Sequence, residues 1–184
     1  MEKEIFYFIY KTALRDAVMR TAYTGDRKKL LENKKAHDAT KEYIDAVLDG
    51  KHPNFYEAAE KVEKKFGDKE FTFGNTQKLI NMCVKYAYIA TYNNKELREN
   101  FRDCHCPMDG SMVEKVIEKI EDRAKDVLAE DYIRGWRGFL RQPWSRMERD
   151  KKQYEVFQNV VKKLAEEEDK VPIEYDYKYW KKRG

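Results

Sequence analysis

The sequence predicts an all-α fold, a compact multi-helix domain, and three observations carry that expectation. Apolar residues recur at three- and four-residue spacing through most of the chain. Strand signals, the two-residue alternation of β-branched and aromatic residues, are nearly absent. The periodic stretches are interrupted at Gly, Asn and Pro, the residues that punctuate helices. The 184 residues suit one domain and suffice to bury a core. No internal repeat, low-complexity segment or linker divides them, so residues 1–184 read as a single helical domain. Within it, residues 71–128 form the central element, and residues 129–184 supply a C-terminal helix and a docked aromatic tail.

Ile5, Phe6, Ile9, Ala13, Leu14 and Ala17 give the first helical stripe, through about Tyr23, broken by Gly25-Asp26. A charged helical stretch spans 27–48, with an interruption expected near Ala36-His37-Asp38 and a stop at Asp49-Gly50. Pro53 suits the first turn of a third helix through Phe66, ended by Gly67. After a glycine turn, Gly74-Asn75-Thr76-Gln77, residues 78–92 are apolar around most of the circumference, so that helix is expected to be central and buried. A short charged helix leads through Phe101 to a loop, 103–109. Met112, Val113, Val116, Ile117 and Ile120 mark an amphipathic helix ending near Leu128. Residues 132–144, rich in Gly, Arg and aromatics, read as a loop and short helix, and a long charged helix follows over 145–168. The tail from Pro172 to Trp180 has too many aromatics for a disordered segment and should dock on the body. The N- and C-terminal helices are expected to share a lobe against the central pair.

Charged residues make up 39% of the chain and are mixed in sign, with a net charge of +4. That pattern describes solvated helix faces and is compatible with nucleic-acid binding without requiring it. Thirteen Tyr, nine Phe and three Trp supply core filling, and a minority at a cleft could stack on bases. Three cysteines without a repeated spacing argue against a disulfide framework and for a reducing, cytoplasmic setting. The apolar run from Ile5 to Tyr10 is too short to span a membrane, so no membrane partner is expected. Cys104-His105-Cys106 are consecutive and cannot converge on one tetrahedral zinc, and no phosphate-binding glycine loop is present. No metal and no cofactor are therefore expected.

Lys78 and Asp109 are the candidate catalytic residues. The positive end of a helix dipole disfavours a second positive charge, and the apolar neighbours Phe73, Leu79 and Ile80 add desolvation; both favour the neutral amine of Lys78, expected in the first turn of its helix. A neutral amine can attack a sugar C1′ and form a Schiff base. An aspartate at the mouth of the next helix stays ionised, and there it stabilises an oxocarbenium-like sugar or accepts the amine's proton. Each residue also has an ordinary reading. A lysine early in a helix is commonly solvated, and Asp109 before Gly110-Ser111 is commonly an N-cap, with Ser111-Met112-Val113-Glu114 as an alternative capping box.

Gly74-Asn75-Thr76-Gln77-Lys78 followed by an apolar helix, and then Cys106-Pro107-Met108-Asp109, resembles the helix-hairpin-helix DNA glycosylase superfamily. The likeness covers about forty residues and is nearest to the 8-oxoguanine glycosylase/lyases. It implies a helix-hairpin-helix-like central element in which Lys78 stands at the place of the family's lysine nucleophile and Asp109 at its catalytic aspartate. The chain departs from the family's hairpin at Phe73, where a proline is usual, and at Thr76, where a second glycine lets the backbone approach a phosphate. The resemblance implies DNA as partner and makes Gly74, Asn75, Thr76, Gln77 and His105 candidate nucleic-acid contacts. Arg134, Arg137, Arg141 and Arg146 form the best phosphate-facing cluster. Tyr86, Trp136, Phe139 and Trp144 are candidates for a base pocket or wedge, since such an enzyme must extrude its base from the stack. All four also suit core packing.

The expected function is thus a base-excision enzyme, an N-glycosylase/AP lyase using a lysine Schiff base, with oxidised purine as the substrate class. The alternative is a non-catalytic helical protein that binds nucleic acid or a nucleoprotein complex, such as a phage anti-CRISPR inhibitor of a host nuclease.

Overall fold

The computed structural model describes residues 1–19, 23–121, 127–140 and 151–180. Among them the regular elements are all helical: α1 (Lys3–Val18), α2 (Arg27–Leu31), α3 (Lys34–Leu48), α4 (Phe55–Phe66), α5 (Phe73–Ala90), a 3-10 helix (Lys95–Phe101), α6 (Gly110–Glu121), α7 (Val127–Leu140), α8 (Lys151–Glu166) and α9 (Pro172–Trp180). None is long and apolar enough to cross a membrane.

Helix α5 is the axis of the molecule. Its residues from Phe73 to Lys85 are all buried, as expected of a helix apolar around most of its circumference. Helix α1 lies along it, presenting Phe6, Ile9, Tyr10, Ala13, Leu14 and Ala17 at three- and four-residue spacing. Helices α3 and α4 pair with each other, and α4 also rests on α5. On the other side α6 packs against α7, α7 against α8, and α8 against α9, which in turn reaches α5 and α6. The N- and C-terminal helices therefore do not share a lobe: α1 belongs to the α5 side, and α9 closes the α6–α8 side.

Caps explain where most helices begin. Asp26, Asn33 and Asn54 each accept backbone N–H bonds at the starts of α2, α3 and α4, satisfying donors that a helix start otherwise leaves open. Asn33 thus breaks the charged stretch a turn earlier than Ala36-His37-Asp38. Pro53 lies just outside α4, while Gly67 ends it in the left-handed conformation, φ +62°, which a side chain would resist.

Of the region expected to be a loop with a short helix, residues 132–140 belong instead to the fourteen-residue α7, and 141–144 lie outside the described residues. Of its two glycines, Gly135 lies against the end of the Gln153 side chain, whose Oε1 would be 2.7 Å from an added Cβ, while Gly138 has open space around it. The aromatic tail docks as expected. Helix α9 starts with Pro172 at its first position and buries Ile173, Tyr175 and Tyr179.

Candidate active site

The site is built on the first two turns of α5, and these differ from the expectation. Gly74-Asn75-Thr76-Gln77 is not a turn: the helix starts at Phe73, and all four residues lie in its opening turns. Thr72 caps it, with Asn75 bonding back to the Thr72 N–H at 3.1 Å in a capping box. Lys78 consequently sits in the second turn. Asn75 Nδ2 also donates to the Ala17 carbonyl at 2.6 Å, closing the C-terminal end of α1. Gly74, Asn75, Thr76 and Gln77 are buried, so none presents a surface to a phosphate.

The loop before α6 is held by side-chain amides. Gln77 donates from Nε2 to the Met108 carbonyl at 3.1 Å, and its Oε1 accepts from the Met108 N–H at 3.2 Å. Gln158 on α8 does the same for Cys106, at 2.8 Å and 3.0 Å. Pro107 between them has no N–H to satisfy. Asn81 Nδ2 lies 2.9–3.2 Å from the Cys106 carbonyl, Gln77 Oε1 and Tyr154 Oη, which share its two N–H donors. Two glutamines thereby replace the strand that would ordinarily pair a buried extended segment.

This loop delivers Asp109 to Lys78. Lys78 Nζ donates to Asp109 Oδ2 at 2.6 Å, joining residues thirty-one positions apart. The other oxygen, Oδ1, accepts from the Ser111 and Met112 N–H groups at 3.1 Å, so Asp109, rather than Ser111, caps α6. The side chains are 11% and 22% exposed. The pair is therefore tucked into the surface, neither sealed in the core nor fully solvated.

A second pair lies two turns further along α5. Lys85 Nζ donates to Asp176 Oδ2 at 2.5 Å, with both side chains 6% exposed. Burial pushes the Asp176 carboxyl above its usual range, against the pull of Lys85. Asp109 raises it further and Lys78 lowers it, so the two pairs sense each other. Cys106 lies among all four charges, its thiol pushed well up by burial.

The other sequence candidates fall in different places. His105 is half-buried against Phe55, Tyr56 and Tyr154, with ring centroids 4.4–5.9 Å away, and its Nδ1 is 3.1 Å from Tyr154 Oη. Burial, aided by the Lys162 charge, lowers its pKa to about 4, which favours the neutral imidazole. It faces an aromatic nest, not the Lys78–Asp109 contact. Tyr86 donates to Asp16 of α1 at 2.6 Å. Trp136 is 1% exposed and packs edge-on against Phe157 at 5.7 Å, so it is core and not a base pocket. Arg134 and Arg137 are exposed one turn apart on α7. Arg141, Arg146 and Trp144 lie outside the described residues, as does the Phe139 side chain. A cavity of about 770 Å³ lies at the far end of α5 between Tyr88, Tyr92, Arg98, Glu174 and Tyr177.

No family model, no curated protein and no solved structure matches this chain. The sequence reading missed Gln158, Asn81 and the Lys85–Asp176 pair. Lys85 did carry a signal: it is a lysine on a helix otherwise apolar all round, and burial there demands a carboxylate.

Proposed function

We propose that this chain acts on DNA as an N-glycosylase with lyase activity on oxidised purine, with Lys78 as nucleophile and Asp109 as its electrostatic partner. The observation that supports this is the 2.6 Å contact between Lys78 Nζ and Asp109 Oδ2. In the reaction, the ammonium proton passes along that hydrogen bond to Asp109. The neutral amine bonds to C1′ as the N-glycosidic bond breaks, and the departing base carries off the electron pair and takes the proton that Asp109 had accepted. Ring opening gives the Schiff base. Loss of a C2′ proton then expels the 3′ phosphate, and water hydrolyses the imine to restore Lys78. Ionised again by that transfer, Asp109 then faces the positive charge on the nitrogen bound to C1′ and on the iminium. Because Oδ1 is held by two amides of α6, the carboxylate needs no reorganisation to do so.

Borohydride trapping on duplex DNA carrying 8-oxoguanine or an abasic site tests the reading. A covalent adduct is expected with wild type and none with Lys78→Ala. No adduct with wild type, or an undiminished one with Lys78→Ala, removes it.

A second reading rests on the way Asp109 is used. One of its oxygens caps α6 and the other pairs with Lys78, which is also what a purely structural ion pair would do. On that reading the helical body binds nucleic acid or a nucleoprotein complex, with Arg134 and Arg137 toward phosphate, as an inhibitor of a host nuclease would. Such a binder keeps its affinity in Asp109→Asn, and its DNA binding in a filter assay weakens steeply with salt.

A further inference from the structure

Only one of the two glutamines that grip the 106–108 loop adjoins the reactive lysine. Gln77 precedes Lys78 and holds Met108, which precedes Asp109, so one pair of hydrogen bonds sets the register between the two candidate catalytic residues. The amide's orientation is fixed as well. Gln77 Oε1 accepts from both the Met108 N–H and Asn81 Nδ2, which leaves Nε2 to face the Met108 carbonyl. Asp109 cannot follow Lys78 freely, because its Oδ1 is tied to the first amides of α6. The placement of that carboxylate against α5 therefore depends on the Met108 grip.

We infer that Gln77 is a positioning residue for the Lys78–Asp109 pair. Its kinetic consequence rests on the glycosylase/lyase reading, while its geometric consequence does not. Displacement of reacting groups by about 1 Å costs on the order of a hundredfold in rate. Gln158 provides the internal control. It makes the same two-bond grip, is also buried, and holds Cys106, which lies farther from Asp109 along the loop.

The experiment compares Gln77→Met, Gln77→Glu and Gln158→Met in the full chain. Single-turnover trapping on abasic duplex DNA should slow by about ten- to a hundredfold in Gln77→Met, with the Kd for that DNA unchanged. Gln158→Met, at a comparable loss of thermal stability, should stay within about threefold of wild type, because the grip it releases is on Cys106 and the Met108 grip beside Asp109 remains in place. Gln77→Glu keeps an oxygen for the Met108 N–H but sets a carboxylate against its carbonyl, and should fall between them. It carries the same comparison if Gln77→Met does not fold. Independently of turnover, the Lys78 ammonium signal in ¹H–¹⁵N spectra should be protected in wild type and Gln158→Met and shifted or lost in the Gln77 variants. A wild type that traps nothing ends the enzymatic reading and leaves the spectra to decide the positioning role. Gln77 variants that keep the wild-type Lys78 signal, or Gln158→Met matching them in both readouts, overturn it.

Discussion

Removing the Asp176 carboxylate should be the most damaging charge change among the described residues. In Asp176→Ala the Lys85 ammonium would remain on a side chain 6% exposed, with its carboxylate partner gone. The Tyr177 ring, 5.2 Å from Nζ, offers only about 1–2 kcal/mol of cation–π attraction. Breaking a buried pair from one side costs about 3–5 kcal/mol. For a chain of this size each kcal/mol lowers Tm by about 2–4 °C, so a fall of roughly 8–16 °C is expected for a loss of about 4 kcal/mol. Replacing both partners with apolar residues, Lys85→Met with Asp176→Leu, removes the charges together and should recover most of that loss or exceed wild type. By contrast, cutting the exposed Glu60–Lys64 pair, whose side chains are 54% and 73% exposed, should cost under about 0.5 kcal/mol. Urea denaturation followed by circular dichroism and by fluorescence measures all three. An Asp176→Ala protein within about 0.5 kcal/mol of wild type, or a double variant as unstable as the single, would refute the argument that desolvation dominates here.

Asp109→Ala should lose both the α6 cap and the ion pair and be about 1 kcal/mol less stable than Asp109→Asn, which keeps a capping oxygen; denaturation gives that difference, and trapping should fail in both variants. His105 titrates at about 4 in the folded chain, below its ordinary value. The unfolded chain therefore takes up the proton first, and stability should fall by up to about 3 kcal/mol as pH drops from about 6.5 to 4. That component should be missing from the acid limb of His105→Gln when denaturation midpoints are compared across the window. Trp136→Ala should cost about 3–5 kcal/mol, as expected of a core aromatic, whereas Tyr92→Ala, at a residue 68% exposed, should stay within about 0.5 kcal/mol; Tm values separate the two.

Helix periodicity made most of this architecture legible, because amphipathic stripes such as Phe6–Ile9–Ala13 report a buried face without reference to the rest of the chain. The approach of Lys78 and Asp109 was expected from the family resemblance and not from either residue alone, since a lysine early in a helix is commonly solvated and an aspartate at a helix mouth is commonly a cap. The start of α5 was misread because Gly74 looks like a turn, whereas Thr72-x-x-Asn75 is a capping box with Asn in place of the usual Glu or Gln. In α7, Gly135 and Gly138 masked the spacing of Ile133, Trp136 and Leu140. Gln77 reads as a turn residue and nucleic-acid contact until its partner is known, and that partner is a backbone thirty-one residues away. Pairings of that range leave no mark on local pattern.

The Lys85–Asp176 contact closes over ninety-one residues, and that has a consequence for biosynthesis. While the chain is being made, α5 emerges long before α9, so its second lysine must stay hydrated and the helix cannot settle into its final environment. Closure around Lys85 then waits for the arrival of α9, and a stop codon placed ahead of Asp176 would leave a nascent protein that lacks Asp176 for that lysine and is exposed to proteolysis.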